Sequence, residues 1–191
     1  MRLPRALAAV AVTLTLTVSG CSGTDSGSGD GFNEADVDFA SDMIQHHAQA
    51  LQMVDLTMGR ELDPEVAELT EEIRAAQAPE IEKMADWLEG WDQPVPETSR
   101  DHANAHGDGG DMDMDMPGMM SAEDMDALDS ADDGAFQDMW LEMMIDHHEG
   151  AVEMAEEQVE DGESDNAVAL AEEIISAQER EITEMQDLLG S

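Results

Sequence analysis

Two adjacent histidines occur twice in this chain, as His46-His47 and His147-His148. Each pair is bracketed by a methionine three residues before its first histidine and another seven after it: Met43 and Met53 in one copy, Met144 and Met154 in the other. Imidazole nitrogen and thioether sulfur together suit copper, because thioether selects Cu(I) and imidazole accepts either oxidation state. A thioether is not protonated in acid, so the methionine part of such a ligand set survives low pH.

The duplication extends far beyond the motif. Residues 39–90 and 140–191 align without a gap at an offset of 101, keeping Leu69/Leu170, Ile73/Ile174, Gln77/Gln178, Glu80/Glu181 and Met84/Met185 among others. Each repeat shows the apolar period of two helices joined by a turn. In the first, Asn33 and Asp36 cap a helix running to about Met58, and Asp63-Pro64 opens a second helix reaching about Glu89. The second repeat predicts a helix from about Gly134 to Glu160, a turn over residues 161–164, and a helix to Leu189. Neither hairpin alone has the apolar surface to fold stably, so the expected fold class is all-α, a four-helix bundle made of two repeated hairpins. Pro79 is expected to kink its helix, since it cannot donate to the carbonyl of residue 75.

At about 100° per residue, His47 falls near the centre of the apolar face of its helix and His46 on the flank beside Met53. Gln77 and Glu80 interrupt the apolar face of the following helix, and buried polar groups must be paired. A bond from His47 to Glu80, repeated between His148 and Glu181, would satisfy both. Gln77, Glu80, Gln178 and Glu181 are therefore expected in supporting roles. Metal ligation is expected of Met43, His46, His47, Met53, Met144, His147, His148 and Met154, the first histidine of each pair and its methionines foremost. Met84 and Met185 read as core filling.

Between the hairpins, which span residues 33–92 and 133–191, a segment over 93–132 is rich in Met, Asp, Gly and His. It contains His102, His106, Met112, Met114, Met116, Met119, Met120 and Met125, and shows no helical stripe before Asp133. Methionines that fill no core need another reason, and capture of a soft cation on a flexible chain is one. A calcium loop starting at Asp111 fails where it requires Gly, at Met116, and where it requires Glu, at Ala122.

The N-terminal end bears on compartment. Arg2 and Arg5 precede an apolar stretch over residues 6–18, and Val18-Ser19-Gly20-Cys21 has the pattern of a lipoprotein cleavage site, so residues 1–20 read as a signal peptide. Cys21, the sole cysteine, is then the acylated anchor, and residues 21–32 form a Ser/Gly/Asp-rich tether. The expected location is outside the cytoplasm, lipid-anchored on the outer face of the cytoplasmic membrane or periplasmic. The chain has 7 basic against 47 acidic residues, a formal charge of −40, which becomes −42 when Arg2 and Arg5 are removed. Such a field excludes nucleic acid and concentrates cations.

The pattern Met43-x-x-His46-His47-x-x-Ala50-x-x-Met53 followed by Gln77-x-x-Glu80-Ile81-x-x-Met84, with its copy from Met144 to Met185, resembles the exported bacterial family called domain of unknown function 305. The resemblance implies a ferritin-like helical bundle and, for some members, copper binding through Met and His. Carried onto this sequence it points to Met43, His46, His47 and Met53, with Met144, His147, His148 and Met154.

Catalysis is not expected. A ferritin-like di-iron site needs Glu-x-x-His, and the positions three before each first histidine are Met43 and Met144; no serine recurs for a nucleophilic triad. The function read from the sequence is an exported, lipid-anchored protein that sequesters or hands over copper, Cu(I) favoured, with a protein partner for transfer. The alternative is a structural or interaction lipoprotein whose core is merely lined by Met and His.

Overall fold

The computed structural model describes residues 31–98 and 116–190, and all regular structure among them is helical. Cys21, His102, His106, Met112 and Met114 lie outside the described residues. In chain order the helices are α1 (Glu34–Asp55), α2 (Pro64–Gly90), α3 (Ala122–Ser130), α4 (Asp133–Asp161) and α5 (Asp165–Leu189).

The helix starts follow from local chemistry. Asn33 and Asp36 form a reciprocal capping box on α1, with Asp36 N–H donating to Asn33 Oδ1 at 3.0 Å and Asn33 N–H to Asp36 Oδ2 at 2.8 Å. Ser164 caps α5 by accepting from Ala167 N–H, and Asp132 caps α4. Asp63 differs from expectation: Pro64 does open α2, but the Asp63 side chain makes no cap bond and accepts from Gln137 Nε2 at 3.0 Å. Pro79 does not break α2. It lies on the exposed face, as does Ala75, whose carbonyl has lost its helical donor there and can take a hydrogen bond from water.

The hairpins α1/α2 and α4/α5 join through α1 against α4, while α2 and α5 barely touch. Four contacts give the direction. Asn33 Nδ2 donates to Asp161 O, Gln158 Nε2 donates to Asp36, the rings of His46 and His147 meet, and Trp140 Nε1 donates to Met53 O. Positions advance along α1 as they retreat along α4, so the two helices are antiparallel. His46 and His147 are equivalent positions of the two repeats, and their contact places a pseudo-two-fold axis between them. The ends obey the same symmetry. Asp36, fully buried, accepts from the backbone N–H of Glu163 and Ser164 at the α4–α5 turn, and its repeat equivalent Gln137 binds Asp63 at the α1–α2 turn. Two apolar clusters, one containing Met53, Leu69, Trp140 and Met144 and the other Phe39, Met43, Met84 and Ile174, flank the axis.

The segment between the hairpins departs from expectation. Residues 122–130 form α3, started by a Ser121/Asp124 capping box and pinned by Leu128, which is fully buried. Arg60 fixes its far end by donating to the carbonyls of Asp129 and Ala131 at 2.6 and 2.7 Å. Met120 and Met125 pack against the first cluster, and Met116 and Met119 are partly buried. The described part of the 93–132 linker, with Met116, Met119 and Met120, is thus not wholly a coreless chain.

Candidate metal centre

α1 and α4 each present their two histidines in different directions, one residue and about 100° apart. His47 and His148 turn toward the partner helix of their own hairpin, where Nε2 meets Glu80 Oε2 and Glu181 Oε2, both at 2.7 Å. The imidazoles are fully buried and the carboxylates partly so, at 18% and 15% exposure. These two histidines have the carboxylate partners that their helical positions predict.

His46 and His147 turn inward to the axis. Both are completely buried, which corrects the flank position expected for His46: α1 is covered by α2 on one side and α4 on another, so a single-face helical wheel underestimates its buried arc. Their ring centroids lie 3.8 Å apart at 39°. His46 Nε2 is 3.0 Å from Pro117 O, a partner the sequence did not suggest; Nδ1 has none, and neither nitrogen of His147 has a well-formed hydrogen bond.

Electrostatics hold both rings neutral. Burial is the main cause that takes the His46 pKa down to about 3, and His47 adds to it, against the opposing bond to Pro117. Burial, followed by the imidazoles of His46, His148 and His47, pushes His147 well below its ordinary value, with a smaller opposing pull from the His46 backbone. A neutral imidazole offers its lone pair to a metal without first losing a proton.

The methionines divide into two mixed pairs. Met53 and Met144 are fully buried in one apolar cluster; Met43 is fully buried in the other, with Met154 half-buried at its edge. Each pair takes one residue from each repeat, as the pseudo-symmetry requires. Met84 and Met185 are buried in the clusters as core residues.

The donor set tests which ions these residues fit. Buried polar atoms are normally satisfied, yet the unpartnered ones here include Nδ1 of His46, His47 and His148, both nitrogens of His147, both polar atoms of Gln77 and Oε1 of Gln178. Among the described residues no group of three or more His, Cys, Asp or Glu side chains is arranged to hold an ion. Among these residues a hard-ligand or thiolate cage is therefore not on offer. Imidazole supplemented by thioether is, and that set fits a soft ion.

Residues 36–189 match the family described as domain of unknown function (DUF305). The chain belongs to this family. A DUF305 protein of Streptomyces coelicolor has a similar structure, with a TM-score of 0.70 and 33% identity over 82% of this chain and 92% of that one. A DUF305 fragment from Deinococcus radiodurans gives 0.70 and 29%, over 83% and 97%. CopM in its Cu(I)-bound form gives 0.63 and 28%, over 80% and 94%, and CopM structures with Cu(II) and with Ag bound are also similar. No curated protein matches the chain.

Proposed function

We propose that this DUF305 protein is a non-catalytic copper-binding protein that works outside the cytoplasm, sequestering the ion or passing it to a protein partner. The observation that carries the reading is the His46–His147 pair: two neutral imidazoles, buried against each other on the internal axis with unpartnered nitrogens, on helices that also carry the buried methionines Met43, Met53 and Met144. Copper is the cargo. His46 and His147 supply nitrogen, and Met43, Met53, Met144 and Met154 supply sulfur, so Cu(I) is the favoured form. The similarity to CopM, known with Cu(I), Cu(II) and Ag bound, supports the assignment.

Export rests on the signal-peptide pattern over residues 1–20, and anchoring on acylation of Cys21. Among the described residues no helix is long and apolar enough to cross a membrane. The similarity to a Streptomyces protein described as secreted agrees with the location. The acidic surface draws cations toward the bundle.

A competition experiment tests the reading. Mature protein loaded anaerobically with one equivalent of Cu(I) should keep it in the presence of excess Zn(II), because a hard or borderline cation gains little from thioether sulfur. Displacement of stoichiometric Cu(I) by zinc would contradict the soft-ligand assignment.

A further inference from the structure

The repeats are not equivalent around their shared axis. At the position three residues after each inward histidine the first repeat has Gln49 and the second has Gly150. Both departures serve one segment, residues 116–120, which crosses the axis between α1 and α4.

Gln49 holds that segment. Its Nε2 donates to Met120 O at 2.9 Å and its Oε1 accepts from Met120 N–H at 2.7 Å, a two-bond amide clamp. Gly150 makes room for it. A Cβ on Gly150 would lie 2.2 Å from Pro117 O and 2.6 Å from Gly118 N, both backbone atoms that cannot swing aside. Gly118 completes the fit with φ +73°, its own Cβ position being 2.7 Å from Asp146 O. Seated this way, the strap delivers the Pro117 carbonyl to His46 Nε2 at 3.0 Å. A carbonyl only accepts, so that nitrogen must carry the ring proton, and the lone pair of neutral His46 is then on Nδ1. A histidine whose second nitrogen donates to a backbone carbonyl is oriented and tautomerically fixed for metal binding. Neither ring nitrogen of His147 has a well-formed bond of this kind.

We infer that Gln49 and Gly150 are positioning residues: they seat residues 116–120 as a strap whose Pro117 carbonyl holds His46 in the Nε2–H tautomer and leaves Nδ1 as its metal-binding nitrogen. The metal part of this inference rests on the copper reading above; the tautomer part does not.

The test is long-range ¹H–¹⁵N correlation of the histidine rings in the full apo chain, followed by Ag(I) titration of the same samples as a diamagnetic probe. The parent should show His46 protonated at Nε2, with Ag(I) perturbing Nδ1. In Gln49→Leu and Gly150→Ala, His46 should exchange between tautomers and Ag(I) affinity should fall about 10–100-fold, while circular dichroism stays helical. A merely structural role would leave the tautomer unmoved. Protonation of the parent's His46 at Nδ1, Ag(I) at Nε2, or an unaltered tautomer in both variants would overturn the assignment. If Gly150→Ala does not fold, Gln49→Leu and the parent spectrum decide. A parent with Nε2–H at His46 that takes up no Ag(I) supports the strap and overturns the copper reading, so the two failures are distinguishable.

Discussion

His46 and His47 are neighbours in the chain, both fully buried, yet they live in different chemistry, and the same holds for His147 and His148. The outer histidines, His47 and His148, each face a carboxylate 2.7 Å away inside their own hairpin. The inner ones, His46 and His147, face each other across the two hairpins, 3.8 Å between ring centroids and with nitrogens left unpartnered. A hydrogen-bonded histidine beside a carboxylate needs no ligand to explain it. Each outer ring leaves only Nδ1 unpartnered; of the inner rings His46 has the Pro117 carbonyl alone and His147 has no well-formed partner, and each unsatisfied buried polar group costs about 1–3 kcal/mol. We propose on this contrast that the inner pair holds the ion and that the outer pair, bonded to carboxylates, is chiefly architectural.

The sharpest way to break this contrast is to remove each pair in turn. Replacing His46 and His147 together by Gln should lower Cu(I) affinity by at least about 100-fold, or about 2.7 kcal/mol at 1.36 kcal/mol per decade, read by competition with a chromophoric chelator. Affinity within a few-fold of the parent would place the metal elsewhere.

Acidification separates the pairs a second way. The folded-state pKa of His46 is about 3 and that of His147 is well below 6.5, whereas the unfolded chain takes up protons near 6.5. Below pH 6.5 the unfolded state therefore binds more protons, and these groups lower the stability of the apo protein as pH falls, by up to about 1.4 kcal/mol per histidine per pH unit. The loss from His46 levels off once pH passes its folded value near 3. Loss of carboxylate repulsion works in the opposite direction across the whole acidic surface, so the useful quantity is a difference. Between pH 7.5 and 5.5, urea denaturation should show the parent losing about 1–3 kcal/mol more than the His46→Gln, His147→Gln variant. Equal losses would contradict burial of the two neutral rings.

The outer pair should give the smallest change. Changing His47 and His148 to Leu leaves Glu80 and Glu181 without their imidazole partners, at a cost of about 1 kcal/mol each after allowance for the partial exposure of the carboxylates. The urea midpoint measures it, and Cu(I) affinity should fall much less than in the inner-pair variant. An equal fall would make all four histidines one functional unit.

Much of this arrangement is legible in the sequence, for physical reasons that can be named. Helix periodicity, the cap at Asn33 and the helix-opening Pro64 are local, so four long helices follow directly. The His47–Glu80 pair is legible because a polar residue on each of two facing apolar stripes needs a buried partner, and the repeat places His148 and Glu181 the same way. His46 is harder. Its burial depends on α4, a partner 100 residues away, and a helix covered on two sides does not show one clean apolar face. The α3 helix rests on nine residues with a single buried anchor, Leu128, so its periodicity is faint, although Ser121-x-x-Asp124 does carry a capping signature. The strap leaves faint traces, the turn-forming Pro117-Gly118 and the departure of Gln49 and Gly150 from each other at one of many positions where the repeats differ, and that departure becomes meaningful only once the backbone crossing between them is known.

The most direct test of a mixed nitrogen and sulfur centre on the internal axis is X-ray absorption at the copper edge of the Cu(I)-loaded parent. The account predicts imidazole nitrogen and thioether sulfur scatterers in the same spectrum, with the imidazole contribution lost in the His46→Gln, His147→Gln variant. A first shell of oxygen and nitrogen alone, unchanged in that variant, would contradict it and assign the ion to the acidic surface.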